Sequence, residues 1–219
     1  MSTKNIIESL DFFSSLNSQQ VEALANISYV NFYNKGYVLH YEKQESNQLL
    51  FLVDGLAKAY KIDKHDNEIF LYYIYSNTLL SEISNVNSNV LFSFSNIELV
   101  EESRILCINY TQFRDVFLSN NLLNLEFTNE IVSRSQQLQA LVNREFIFDS
   151  VAKVAMMLYS DLEMFNKLKR HDISLILHIQ PATLSRVLNR LKRNNIIDII
   201  HGRIDVLDLF ALKAVYEEN

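Results

Sequence analysis
The pattern of apolar and polar positions along the 219-residue chain changes period several times. Over residues 4 to 26 the apolar positions recur at helical spacing and predict two short helices, the second capped by Ser18 with Val21, Leu24 and Ala25 turned inward. From Ile27 the period falls to two. YVNFYNKGYVLHYE predicts two short strands around Lys35-Gly36, and LLFLVDGLAKAYKID predicts a hairpin turning at Asp54-Gly55. EIFLYYIYS is a further strand after the polar turn Lys64 to Asn67, and VLFSFSNIELVEESRILCINY supplies two or three more. Roughly seven to nine short strands within about 85 residues predict a small antiparallel barrel or sandwich.

After Tyr110 the helical period returns. Thr111 to Phe117 predicts one short helix, and the stretch from Asn120 to about Phe148 then runs without glycine or proline. Within it Phe127, Ile131, Leu138 and Leu141 are spaced four, seven and three. That is near the 3.5-residue period of a two-stranded coiled coil, with Arg134 as a polar interruption. About 28 residues at 1.5 Å each make ~42 Å, longer than a small barrel is wide. Phe148-Asp149-Ser150 reads as a hinge, because Asp149 or Ser150 can cap a next helix over Val151 to Met164.

His171 to Arg193, HDISLILHIQPATLSRVLNRLKR, reads as two short helices joined by a tight turn. Ile173, Ile176, Leu177 and Ile179 give the first an apolar face. Pro181, the only proline, cannot continue a helix under way but suits the first turn of a new one. In that second helix Leu184, Val187, Leu188 and Leu191 form one buried stripe. The opposite face carries Ala182, Ser185, Arg186, Asn189, Arg190 and Arg193, small residues and long cations without a carboxylate. Small residues let a helix approach base edges, and guanidinium groups can fork onto guanine or meet phosphate. This predicts a helix-turn-helix with Pro181 to Lys192 as its recognition helix. Asn194 and Asn195 end the helix. IIDIIHGRIDVL then alternates around His201-Gly202 as a small hairpin, and the combination is a winged helix.

Composition refines this picture. The chain is 48% hydrophobic, enough for two small domains with cores of their own, and its net charge is −6. Between Lys167 and Arg203, however, eight Lys or Arg stand against two Asp, a local +6, so a basic patch rides on an acidic whole. Cys107 is the only cysteine. It can form no internal disulfide and cannot by itself hold an iron–sulfur cluster, and its apolar surroundings ILCINY predict a core residue. The N-terminus MSTKNIIESL has no long apolar core, and no later run approaches a membrane span of ~20 residues. A cytoplasmic protein is expected.

ATLSRVLNRLKRNNIID followed by HGRIDVLDLFAL resembles the DNA-binding end of the Crp/Fnr transcription regulators, whose usual string is ETxSRxLxxLxxxGLI before a wing. The match lies in Thr183, Ser185, Arg186, Leu188, Leu191, Ile196 and Ile197. It departs at Ala182, where the family usually carries a glutamate that reads a base. The order of strands resembles the cyclic-nucleotide-binding-like barrel of the same family, and INYTQFRDVF resembles the segment that leaves that barrel for its long helix. The resemblance implies an α+β protein: an N-terminal cyclic-nucleotide-binding-like antiparallel β-barrel, a long dimerisation helix at about 120–148, and a C-terminal winged helix-turn-helix. A sensor domain of 1–148 and a DNA-binding domain of 149–219 are expected, with Phe127, Ile131, Arg134, Leu138 and Leu141 at a homodimer interface.

Cyclic-AMP-binding members of this family carry a glycine–glutamate pair at the start of a short helix and, about a dozen residues on, an arginine that grips the phosphate. In LLSEISNVNSNVLFSFS, Glu82 stands at the glutamate position, Ser81 replaces the glycine and the arginine position falls near Ser93. From His65 to Ser103 there is no Lys or Arg. A cyclic phosphate buried there would lack a cation to offset its lost hydration, which argues against cyclic AMP. Haem is a candidate cofactor, because some relatives of the family sense nitric oxide or carbon monoxide through it. His40 and His65 are the barrel histidines, and Tyr41, Tyr72, Tyr73 and Tyr75 add phenols, but nothing in their spacing forms a ligand set. The string Pro-Ala-Thr-Leu-Ser-Arg also suggests regulators of nitrogen-oxide stress.

The leading expectation is a dimeric regulator on double-stranded DNA, with RNA polymerase as a further partner and no membrane. Arg186 is expected at guanine with Ser185 beside it, and Ala182 at a thymine methyl. Gln180, Thr183, Asn189, Arg190 and Arg193 would divide between base edges and phosphates. Two other readings are a haem-based gas-sensing regulator and a small-molecule sensor whose wing domain contacts protein. An enzyme is disfavoured: no nucleophile–base pair, metal spacing or phosphate loop is present, and Glu82 is the only acid placed by a motif.

Overall fold
The computed structural model of the protein describes residues 2–83, 85 and 87–217, and the chain divides into two compact units between Gln136 and Gln137. In the first unit α1 (Thr3–Ser9) and α2 (Ser18–Asn26) precede the strands. Asn17, not Ser18, caps α2. Its side chain accepts from the amides of Gln19 and Gln20, and its own amide donates to the Gln20 side chain. The carboxamide one residue earlier completes a reciprocal capping box that Ser18 is too far into the helix to make.

The strands are β1 (Ser28–Tyr33), β2 (Val38–His40), β3 (Glu45–Ser46), β4 (Gln48–Asp54), β5 (Leu56–Ile62), β6 (Glu68–Tyr75), β7 (Thr78–Leu79), β8 (Leu91–Phe92), β9 (Asn96–Leu99) and β10 (Ser103–Asn109). They form two antiparallel sheets ordered β1-β10-β4-β7 and β2-β9-β5-β6, with β3 and β8 as a separate ribbon. β3, β7 and β8 are two residues long, too short to show a period in the sequence.

Alternation along β4 sends its side chains to both faces. Leu49, Phe51 and Val53 join a core with α1, α2 and the helices that follow the strands, while Leu50 and Leu52 join a second core with Ala57, Ile74, Ile97 and Leu99. β10 divides in the same way, Leu106 and Ile108 to the first core, Ile105 and Cys107 to the second. Cys107 is buried, and desolvation pushes its thiol up to about 11, so it is an inert core group.

Asp54-Gly55 is a turn but not the expected hairpin. β4 pairs with β10 and β7, whereas β5 pairs with β6 and β9, so the chain changes sheets at this corner. Gly55 has φ +110°, and a Cβ there would lie 2.1 Å from Ser103 Oγ and 3.0 Å from the Glu102 carbonyl. Close approach of the start of β10, held also by an Arg104–Asp54 ion pair, is what requires the glycine.

Beyond β10, α3 (Tyr110–Phe113) runs into a wider π-helical stretch, Arg114–Leu118, in place of a single helix from Thr111 to Phe117. α4 then spans Asn124–Phe146 rather than 120 to 148, because Asn121 takes φ +59° and breaks the helical run. Its 23 residues correspond to about 34 Å.

In the second unit α5 (Ser150–Ser160) begins at Asp149, whose carboxylate accepts from the amides of Val151 and Ala152 at 2.8 Å. The expected helix to Met164 breaks at Asp161, which leaves helical geometry and caps α6 (Leu162–Lys167). Next come α7 (Arg170–Ile176), α8 (Pro181–Arg193), β11 (Ile197–Ile200), β12 (Arg203–Val206) and α9 (Leu209–Glu217). α5 packs on both α8 and α9, and its Ala152, Val154, Ala155 and Leu158 are buried with Phe165, Ile173, Leu177 and Leu212.

Gly55→Ala should destabilise the first unit by about 2 kcal/mol or more, since it adds backbone strain to a collision with a neighbouring strand. Gly36→Ala, with φ +82° but nothing within 4 Å, should cost only about 1 kcal/mol. Equilibrium urea unfolding of the two variants measures the difference.

Candidate nucleic-acid interface
α8 is set by its ends and its stripe. Pro181 occupies its first turn, and the preceding turn is closed by His178 in left-handed geometry (φ +51°), with the Ile179 amide donating to the Ser174 carbonyl at 3.0 Å. Leu184, Val187, Leu188 and Leu191 are buried. Gln180, Ala182, Ser185, Arg186, Asn189, Arg190 and Arg193 are exposed and Thr183 half-buried. At the other end Asn195 is left-handed and stops the helix.

Thr183, Arg186, Asn189, Arg190 and Arg193 line an open groove of about 630 Å³ together with Val151 of α5. Val151, in the first turn of α5, forms a wall that its sequence did not reveal. Among the described residues Arg186, Arg190 and Arg193 have no ion-pair partner, and Arg186 Nε donates only to the Ala182 carbonyl at 3.3 Å. Lys192, by contrast, is bonded to Asp198 at 2.7 Å. The three arginines therefore remain available for an external polyanion, and Lys192 fastens the helix to the hairpin.

That hairpin turns at His201 (φ +50°) and Gly202 (φ +84°), the geometry of a tight two-residue turn. Asn166 on α6 anchors it by donating to the Ile204 carbonyl (2.9 Å) and accepting from the Ile204 amide (2.7 Å), while Arg170 donates to the Gly202 carbonyl (2.9 Å). No sequence signal singled out Asn166 or Arg170, because their partners are backbone atoms more than thirty residues away.

In the first unit Ser81, Glu82 and Ser93 are brought close by a closed network. Ser81 is buried, and its Oγ accepts from the Leu50 amide (2.9 Å) and donates to the Gln48 carbonyl (3.3 Å). Glu82 accepts from the amides of Phe94 and Ser95 and, at 2.9 Å, from Ser95 Oγ, and Tyr72 is also bonded to it. Ser93 is buried with its backbone paired to Lys43 and Gln44. Arg134 of α4 donates to the Leu79 carbonyl, and its guanidinium lies 5.7 Å from the Tyr72 ring centroid. A scan of residues 65 to 103 for cations could not find this one.

On α4, Phe127 does not belong to the expected stripe: it is only 4% exposed and packs with Phe113 and Phe117 in the core. Ile131 (43%) and Leu138 (53%) are exposed, as are Val132, Val142 and Phe146, and Leu141 is half-buried.

Two family models match the chain in succession, a cyclic nucleotide-binding domain over residues 30–120 and a Crp-like helix-turn-helix domain over residues 152–215. The chain belongs to the Crp/Fnr family of transcription regulators. Its fold is shared with several solved structures. A CooA variant from Carboxydothermus hydrogenoformans aligns at TM-score 0.71 and 16% identity over 97% of this chain and 94% of that one. FixK2 from Bradyrhizobium japonicum aligns at 0.64 and 15% over 86% and 97%, and a Crp/Fnr-family regulator from Eubacterium rectale at 0.64 and 15% over 95% and 98%. No curated protein matches the sequence.

As a Crp/Fnr-type regulator the chain carries its DNA-binding helix-turn-helix in the second unit, and the family is one of regulators rather than enzymes. No helix among the described residues is long and apolar enough to cross a membrane. The residues proposed for haem are not assembled by the fold. His40 is buried with both ring nitrogens unpartnered, whereas His65 lies exposed in the turn between β5 and β6. Tyr41 and Tyr75 are exposed, and Tyr73 packs on Phe70. His40 alone among these is buried with unpartnered ring nitrogens, and none of His65, Tyr41, Tyr73 and Tyr75 is buried with it as a second axial ligand.

Burial holds the His40 imidazole below its ordinary range, so it is neutral in the folded barrel at pH 7. As pH falls through about 6.5 the unfolded chain binds a proton that the folded chain does not, so stability contributed by neutral His40 is complete above that pH and lost below it. Thermal unfolding should therefore weaken from pH 7 to 5, and less steeply in His40→Leu.

Proposed function
We propose that the protein is a homodimeric, sequence-specific regulator whose two α8 helices enter successive major grooves of a near-palindromic site, about 34 Å apart. The single observation that carries this reading is the unpaired arginine face of α8, Arg186, Arg190 and Arg193 around one groove. Arg186 is assigned to a guanine edge, Ser185 beside it, and Ala182 to a thymine methyl. Gln180, Thr183, Asn189, Arg190 and Arg193 divide between bases and phosphates. The absence of glutamate at 182 gives the half-site a preference different from that of the usual family string.

The dimer seam is assigned to Ile131, Leu138 and Leu141 on α4, extended by the exposed Val142 and Phe146, with Arg134 turned instead toward the barrel. The sensor domain is taken as 1–148 and the DNA-binding domain as 149–219, with Asp149 capping the first helix of the latter. RNA polymerase is the further partner, and the cytoplasm the expected location.

The effector is not cyclic AMP. Glu82, which would accept ribose hydroxyls, is saturated by Phe94 and Ser95, residues 65 to 103 contain no arginine, and Arg134, which reaches this region from α4, donates to the Leu79 carbonyl. The protein is expected to purify colourless and to select a duplex from a randomised pool without added ligand. Cyclic AMP at 1 mM should leave the melting temperature unchanged within about 1 °C, whereas saturation at a hundred times Kd would add about 2.7 kcal/mol. A Soret band would favour the haem-based reading instead, and selection of no duplex would favour a sensor acting through protein contacts.

Arg186→Ala should lose about 1–3 kcal/mol on the selected duplex and little on random DNA. Equal losses on both would make Arg186 a phosphate contact. Titration at several salt concentrations separates the two, because phosphate contacts set the salt slope.

A further inference from the structure
The last turn of α4 bears a charge cluster that the DNA interface does not use. Glu145 lies 2.8 Å from His178 Nδ1, accepts from Arg144 Nε at 2.9 Å, and lies 3.5 Å from Lys153 Nζ. Arg144 and Lys153 are both more than nine-tenths buried. Lys153 is on α5, two residues after Val151, which walls the arginine groove. His178 belongs to the turn that leads into α8 and stands two residues before its N-cap, Gln180. One carboxylate thus joins the end of α4, the first half of α5 and the turn of the helix-turn-helix. The joined residue has left-handed backbone geometry, so its ring is offered from a sharply defined turn rather than from a flexible loop.

We propose that Glu145 is a positioning residue for DNA recognition: through His178 it fixes the turn that aims α8, and its grip tightens when the imidazole is protonated. This rests on the DNA-binding reading above. A neutral imidazole holds the contact as one ordinary hydrogen bond from Nδ1–H. An imidazolium holds it as a charge-assisted bond, roughly twice as strong. The charged groups that meet this pair come from α4 and α5. Arg144 and Lys153 oppose a further positive charge and Glu145 favours it. Among the described residues His178 has no ion pair with any group on α7 or α8. Burial pushes the Glu145 carboxyl up, but the hydrogen bonds from His178 and Arg144, and their charges, outweigh it and hold it below the usual carboxylate range. The acceptor is therefore ionised throughout the range in which imidazole titrates.

A duplex ordered by α8 requires that helix to be held at one angle, whereas random DNA requires only its charge. The ratio of specific to random affinity is thus the quantity that Glu145 should control. It should rise about fivefold between pH 8 and pH 6 at fixed salt, on the scale where tenfold corresponds to 1.4 kcal/mol.

The test uses the full chain, the duplex selected by the wild-type protein and a random duplex of equal length, titrated from pH 5.5 to 8. Glu145→Gln keeps a neutral acceptor, and His178→Gln keeps a neutral donor while leaving Arg144 and Lys153 paired, so the second variant remains informative if the first folds poorly. Both are expected to flatten the pH profile of the ratio, with the double variant no worse than either alone. His171 and His201 are unchanged in the variants, so any effect of theirs is common to all the profiles being compared. Parallel pH profiles for wild type and His178→Gln would overturn the proposal even if the affinity fell. If the wild-type protein selects no duplex, it is the DNA-binding reading that fails, and melting temperature against pH for the same variants then reports whether the Glu145–His178 bond responds to protonation.

Discussion
Burial of four side chains on one helix is the constraint on which the DNA-binding unit depends. Leu184, Val187, Leu188 and Leu191 each contribute roughly 1.5–3 kcal/mol when fully withdrawn from water, upper estimates that together are of the same order as the margin by which small domains are stable. Rotating α8 by one residue would expose half of that stripe and press Arg186 or Asn189 into the core. The rotation is therefore fixed by packing, and the arginine face follows without any interaction of its own. Pro181 fixes where the helix starts, and Asn195 where it stops.

Charge is distributed to match. The chain is acidic overall, yet two carboxylates of the second unit are committed: Asp198 to Lys192, and Glu145 to the cluster at the end of α4. What is left on the outer face of α8 is cationic and unpaired. A patch of this kind attracts a polyanion through counterion release while the acidic remainder limits indiscriminate binding.

The parts of the fold legible in the sequence are those fixed by local rules. The α8 stripe, the His201-Gly202 turn, the β5–β6 hairpin and the Asp149 cap all depend on residues within a few positions of one another. The β4–β5 corner does not. Aspartate–glycine signals a turn wherever it stands, but whether its flanks pair with each other depends on β10 and β9, tens of residues further along the chain. Phe127 failed for a related reason: helical spacing identifies a stripe but not its partner, and here the partner is the Phe113–Phe117 pair of the same unit. Asn166 and Arg170 escaped notice because a side chain bonded to distant backbone leaves no pattern.

The barrel shows how a tertiary contact changes an electrostatic argument. Residues 65 to 103 hold no Lys or Arg, yet Arg134 arrives from α4 beside Tyr72, which is itself bonded to Glu82. The segment is therefore not remote from positive charge. An anion entering there would still have to compete with the Leu79 carbonyl for the guanidinium and with the Phe94 and Ser95 donors for space around Glu82. A ligand shifts a conformation only by its difference in affinity for the two states. An effector that displaced Arg134 from Leu79 would exchange one satisfied contact for another, and its leverage would lie in the part of α4 that Arg134 releases. A cyclic phosphate would bring a sugar for which Glu82 has no spare acceptor.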